Sequence, residues 1–144
     1  MNSPVILWFR RDLRLADQPA LAAAVASGGP VIPIYILDDD TPKHRKMGAA
    51  SRWWLHHSLN ALDTDLRALG SKLILRAGKS DAILSALAAE TKASAVHCLR
   101  HYEPWWRNAE KSLAKSLPEG CALYCHDGNY LMPPGSVTTG SGQP

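Results

Sequence analysis

The sequence predicts an α/β fold: a three-layer, doubly wound, Rossmann-like parallel sheet of five strands with helices on both faces. Three observations lead there. Short apolar runs rich in β-branched and aromatic residues, Val5–Phe9 and Val31–Leu37 above all, read as strands buried on both faces. Stretches of helical periodicity lie between such runs, so strand and helix alternate with short turns throughout, the pattern of right-handed crossovers in a parallel sheet. At 144 residues, 46% hydrophobic and 20% charged, the chain has the size and composition of one domain with a proper core.

The elements follow in order. After Val5–Phe9 the polarity flips, with Arg10, Arg11, Asp12 and Arg14 inside five positions. Asp17 is a candidate N-cap and Pro19 stands in the first turn of a helix over Pro19–Ala26, which Gly28-Gly29-Pro30 ends. Val31–Leu37 is the second strand; Pro33 requires an edge or an early position in the ladder. Asp38-Asp39-Asp40 lies beyond its carboxyl end, a solvated loop end more readily than a metal site, since no further acidic ligands follow closely. Thr41 to Gly48 is a basic linker carrying Lys43, His44, Arg45 and Lys46. In the next helix Leu55, Leu59, Leu62, Leu66 and Leu69 form one stripe, with Ser51 as N-cap, Gly70 as stop and Asp63 one turn from Arg67. Trp53 points nearly opposite that stripe and Trp54 to one side, either covering a loop or marking a contact surface. Lys72–Arg76 is the third strand, and Ser80 caps a helix whose apolar face is Ile83, Leu84, Leu87 and Ala88. Ala95–Leu99 is the fourth strand, running into Arg100, His101, Tyr102 and Glu103. Pro104 opens a helix with the stripe Trp106, Ala109, Leu113 and Leu117, Trp105 to one side, closed by Glu119-Gly120. Cys121–Cys125 is the fifth strand, and from Asn129 onward proline and glycine replace periodicity, as in a linker.

A net charge of +3 and a pI near 8.9 are mildly basic, well short of a dedicated nucleic-acid-binding domain. A charged n-region followed by an apolar h-region is missing, and so is an apolar run of membrane-spanning length, so the expected location is cytoplasmic. Cys98, Cys121 and Cys125 read as reduced core thiols; no His or Cys partner sits at metal-ligand spacing. Neither G-x-G-x-x-G nor a Walker A sequence occurs, so a dinucleotide or P-loop reading lacks its phosphate-binding device. Ligands of such a sheet sit beyond the carboxyl ends of its strands, where the arginines after the first strand fall. Pairing of those arginines with Asp12, and of Arg52 with one of the acids at Asp38 to Asp40, is the competing reading.

The string Trp8-Phe9-Arg10-Arg11-Asp12-Leu13-Arg14, with Asp17 and Pro19-Ala20-Leu21 after it, closely resembles the N-terminal signature of the DNA photolyase and cryptochrome family. Ala50-Ser51-Arg52, the run from Arg100 to Trp105 and the run from Leu131 to Gly142 extend the resemblance over the whole chain. It implies that residues 1–128 form the family's N-terminal antenna-binding α/β domain, that residues 129–144 begin the interdomain linker, and that the FAD-binding helical domain is absent from this chain. The implied function is light harvesting within a deoxyribodipyrimidine photolyase, whose full-length form repairs UV-induced pyrimidine dimers in DNA by light-driven electron transfer from FAD. The same domain of a cryptochrome blue-light receptor is the alternative. A stand-alone nucleotide- or small-molecule-binding domain is a second, weakened by the missing phosphate loop and by the segment after Tyr130.

An antenna domain needs no nucleophile, general base or metal, and the isolated chain is expected to lack lyase activity. Positive charge and aromatic stacking suffice to hold a conjugated anion. The resemblance then assigns Arg10 and Arg52 to a phosphate or glutamate tail, Glu103 to the ring, Trp105 and Trp106 to stacking, and Asp38 to the same strand-end set. For Trp106, on its helix stripe, core packing is the competing role. Methenyltetrahydrofolate is the expected chromophore, with deazaflavin and FMN as the other choices. Folate-binding members of the family often carry Asn-Glu where this chain has Trp105-Trp106, so a folate here would be held by stacking. The implied partners are the chromophore, the chain's own C-terminal helical domain and, through the full-length protein, damaged DNA.

Overall fold

The computed structural model describes residues 2–42 and 46–142. Lys43, His44 and Arg45 of the expected basic linker lie outside the described residues. The elements are β1 (Val5–Phe9), α1 (Pro19–Ala26), β2 (Val31–Leu37), α2 (Ala49–Ala68), β3 (Ile74–Ala77), α3 (Ser80–Thr91), β4 (Ala95–Leu99), α4 (Pro104–Ser116) and β5 (Ala122–His126). All neighbouring strands are parallel, in the order β3-β2-β1-β4-β5. The expected doubly wound sheet of five strands is therefore what the chain forms.

β1 is the middle strand, and all five of its residues are buried because both of its faces are covered. Its alternate side chains divide the core. Ile6 and Trp8 join Leu84 and Ala88 of α3 and Leu113 of α4; Leu7 and Phe9 join Ala20 of α1 and Leu62 and Leu66 of α2. Each such large apolar side chain taken out of water contributes roughly 1.5–3 kcal/mol, which makes the two sides of β1 the energetic centre of the domain. Pro33 sits where β1 pairs with β2 but β3 has not begun, since β3 first meets β2 at Ile34. The missing N–H therefore falls at an early, outer position of the ladder.

Several local expectations shift. The N-cap of α1 is Gln18, whose Oε1 accepts from Ala20 N–H at 3.1 Å; Asp17 instead takes a left-handed turn at φ 48°. Helix α2 starts two residues before Ser51, with Gly48 as its N-cap. Ser80 is the first residue of α3, not its cap. Asp38, from the loop after β2, caps that helix by accepting from Ser80 N–H at 2.9 Å and Ser80 Oγ at 2.6 Å. Leu69 leaves the leucine stripe, 73% exposed, because the chain turns there: Gly70 adopts φ 77° and Ser71 N–H reaches back to the Leu66 carbonyl. β3 and β5 begin and end slightly later than expected, and α4 ends at Ser116. Between Asn129 and Gly142 there is no helix or strand. No helix among the described residues is long and apolar enough to cross a membrane.

Candidate functional site

The chain reverses its direction of travel across the sheet between β1 and β4, and the crevice beyond the carboxyl ends of those two strands is where such a sheet takes a ligand. Arg10 is the first residue past β1. Its N–H bonds the Asp12 carboxylate at 3.0 Å, and its side chain turns back under the strand ends. The guanidinium Nη2 donates to Glu110 Oε1 of α4 at 2.7 Å, to the Leu99 carbonyl and to Cys98 Sγ at 3.5 Å. The side chains of this ion pair are 5% and 10% exposed. The Arg10 guanidinium also lies 4.5 Å from the Trp8 ring centroid and 5.8 Å from that of Trp106, within cation–π range. Arg10 Nε and Nη1 are buried with no hydrogen-bond partner among the described residues, an uncommon state for a charged donor. Beside it, His101 is 7% exposed; burial first, and the Arg10 charge second, push its pKa from 6.5 down to about 4, so it is neutral near pH 7.

A cleft of about 450 Å³ opens between the loop after β1 and the first turns of α2, lined by Arg10, Arg11, Arg14, Tyr35, Ser51 and Trp54 among others. Arg11 is exposed and meets Glu103 at 3.1 Å; Arg14 is held against the Asp17 carbonyl at 3.0 Å and the Gly128 carbonyl at 3.4 Å. Tyr35 keeps its phenol proton, because burial first, then Asp39, raise its pKa against the opposing charges of Arg11 and Arg52. Trp54, 70% exposed, stands at the rim. The Arg10 guanidinium is turned away, buried against Glu110, Trp8 and Trp106, so Arg11 and Arg14 are the cations at this cleft; with the rings of Tyr35 and Trp54 they suit a flat, conjugated anion. A second cleft, about 520 Å³, runs along α1 past Leu15, Leu21, Ala22 and Val25; with no cation among its lining residues it lacks a device for an anion.

The residues singled out from the sequence divide. Arg10 lines the cleft. Arg52 and Glu103 brace its walls: Arg52 pairs with Asp39 at 2.6 Å and donates to the Met47 carbonyl, and Glu103 holds Arg11. Asp38 accepts five hydrogen bonds, from Asp40, Thr41 and Ser80, so its carboxylate serves the turn and the start of α3. Although burial alone would raise its pKa, the bonds from Ser80 and Thr41 win and lower it. Trp106 packs on the α3/α4 side of the core, edge-on to Trp8 at 6.5 Å. Trp105 is half-buried in the first turn of α4 and is not among the cleft's lining residues.

Glu110 was not among the residues singled out, yet it organises the strand ends. Its signal was present: it stands one turn after Trp106 and three residues before Leu113, on the buried stripe of α4. Tyr35 and Trp54 were also missed as lining residues; Tyr35 reads as an ordinary strand residue until β2 is set beside β1. Among the described residues, Cys98, Glu110 and Cys125 bring ligand atoms within 4.8 Å of one another. The Arg10 cation already bonds two of the three, so the group is no place for a metal cation.

Comparison with known proteins adds the following. The family model described as DNA photolyase matches residues 5–144. The deoxyribodipyrimidine photo-lyase of Agrobacterium fabrum is 43% identical over 144 residues, covering 99% of this chain and 29% of that protein. Cryptochrome-1 of Arabidopsis thaliana is 39% identical over 141 residues, covering 96% of this chain and 21% of that protein. An archaeal photolyase from Sulfolobus tokodaii, solved with two FAD molecules and described as implying a novel light-harvesting cofactor, superposes with a TM-score of 0.83 at 28% identity, over 94% of this chain and 32% of that one. The chain spans less than a third of the length of each of these proteins.

Proposed function

The chain belongs to the DNA photolyase family, and we propose that it is the family's antenna-binding α/β domain, seating a light-harvesting chromophore in the cleft between the loop after β1 and helix α2. The observation that carries this reading is the lining itself: the Arg11 and Arg14 cations with Tyr35 and Trp54, gathered at the carboxyl end of the central strand. The volume, about 450 Å³, is within the range of small-molecule sites. Such a lining needs no reacting group, only charge to hold a glutamate or phosphate tail and a ring face to stack on. Arg52 and Glu103 act as braces. Trp105, Trp106 and Asp38 support the surrounding structure.

Methenyltetrahydrofolate is the chromophore we assign, with a deazaflavin or FMN as the other occupants the lining admits. Residues 129–144 begin the linker toward an FAD-binding helical domain, residues 1–128 being the antenna domain. In the cytoplasm the full-length protein repairs pyrimidine dimers as a deoxyribodipyrimidine photolyase, meeting DNA through that other domain. The identity to cryptochrome-1 supports the second reading, the same domain in a blue-light receptor.

Fluorescence titration of the chain with methenyltetrahydrofolate, a deazaflavin and FMN tests the proposal. Saturable quenching of tryptophan emission by one of them, weakened by salt, is the expected result. Absence of saturable binding by all three overturns it.

A further inference from the structure

We propose that Cys98 and Cys125 form a peroxide-responsive dithiol that closes to a disulfide between strands β4 and β5. The two residues stand opposite each other in the register of these parallel strands, and both side chains point into the α3/α4 side of the core. The Cys98 thiol donates to Cys125 Sγ at 3.7 Å. Neighbouring strands lie about 4.7–4.9 Å apart, inside the Cα separation that disulfides span. The sulfurs need approach by only about 1.7 Å to reach bonding distance.

The two thiols are not equivalent. Cys98 is fully buried, and its hydrogen-bond donation and its burial both hold it protonated. Cys125 lies on the edge strand and is half-buried. The bond it receives from Cys98, helped by the charges of Arg10 and Arg100, lowers its pKa against burial and Glu110. Thiolate character and access are what peroxide reacts with. Cys125 is therefore the attacking sulfur and Cys98 the resolving one.

The reaction balances with hydrogen peroxide as oxidant. The Cys125 thiolate attacks one peroxide oxygen, the O–O bond breaks, and with one proton taken up the products are Cys125 sulfenic acid and water. Cys98 sulfur then displaces the hydroxyl, its proton leaving with that group as a second water. Two thiols lose two electrons and two protons in all. A thiol reductant reopens the bond by thiol–disulfide exchange. The Cys98 sulfur also accepts from Arg10 Nη2 at 3.5 Å, which places the dithiol against the strand ends.

The test is to expose the native chain to hydrogen peroxide, quench with catalase, denature, alkylate with iodoacetamide and measure intact mass. The reduced chain takes up three alkyl groups, one for each free cysteine. The oxidised chain is expected to take up one and to weigh two hydrogens less before alkylation, with Cys98 and Cys125 in one linked peptide and full recovery on dithiothreitol. Cys121→Ser should leave the loss of two thiols unchanged. Cys98→Ser should stop at a Cys125 sulfenic acid that dimedone traps. Three alkylated thiols after peroxide, a bridge containing Cys121, or Cys125 sulfinic acid with Cys98 still alkylated would each overturn the proposal.

Discussion

Replacing Glu110 by Ala withdraws the carboxylate that meets the Arg10 guanidinium at 2.7 Å, in a pair whose side chains are 5% and 10% exposed. The cation cannot reach water without breaking its bonds to the Leu99 carbonyl and Cys98, and its Nε and Nη1 already lack partners among the described residues. Removing one member of a buried pair typically costs about 3–5 kcal/mol, most of it the uncompensated charge left behind. For a domain of this length each kcal/mol lowers Tm by roughly 2–4 °C, so Glu110→Ala should melt on the order of 10 °C early. Glu110→Gln keeps an acceptor and loses the charge, and should cost about 2 kcal/mol. Urea unfolding of the wild type, Glu110→Ala, Arg10→Met and the double variant closes a thermodynamic cycle. The expected coupling is about 2 kcal/mol, within the range for contacting residues. A coupling below about 0.5 kcal/mol would refute the claim that these two charges hold the strand ends together.

Other substitutions test other parts of the argument. A Cβ on Gly29 would lie 2.2 Å from the Ser3 carbonyl oxygen, so Gly29→Ala should cost about 1–3 kcal/mol in urea unfolding. Leu84→Ala, at a fully buried position of α3, should cost about 2–5 kcal/mol by the same assay. His101 takes a proton at its ordinary 6.5 when unfolded but only at about 4 when folded. Stability should therefore fall as pH drops from 6.5 towards 4, and His101→Gln should flatten that part of the melting curve against pH. Asp38 has its folded pKa below the ordinary 3.8, so its contribution is present above that value and lost as pH falls through the folded one. Asp38→Ala should cost about 1–2 kcal/mol at pH 7 through the lost cap of α3, and should leave a smaller acid-dependent loss than the wild type shows.

What was legible in the sequence follows the range of the interactions concerned. The apolar runs of β1, β2 and β4 and the stripes of α3 and α4 are written in consecutive or one-turn neighbours, and those elements stand where periodicity puts them. The capping of α3 was not legible because its acceptor comes from elsewhere in the chain: Asp38 stands 42 residues before Ser80, whose N–H donates to it. The site divided in the same way. The charge flip after Phe9 marked the strand end that lines the cleft. The alternatives left open for Arg52 resolve to Asp39, a partner across a loop. Tyr35 and Trp54 join the lining only once β2 and α2 are folded beside β1. The closeness of Cys98 to Cys125 depends on β5 docking against β4 in register, which spacing along the chain does not encode.

The central claim is that the cationic cleft beside α2, and not the α4 side of the strand ends, holds the chromophore. Titration of methenyltetrahydrofolate into the wild type, Trp54→Ala and Trp105→Ala tests it most directly. Loss of a stacking face is worth roughly 0.5–1.5 kcal/mol beyond buried area, so Trp54→Ala should raise Kd by about 3-fold to 10-fold or more, with Trp105→Ala close to the wild type. Weakened binding in Trp105→Ala with Trp54→Ala unchanged would place the chromophore on the α4 side and contradict the account.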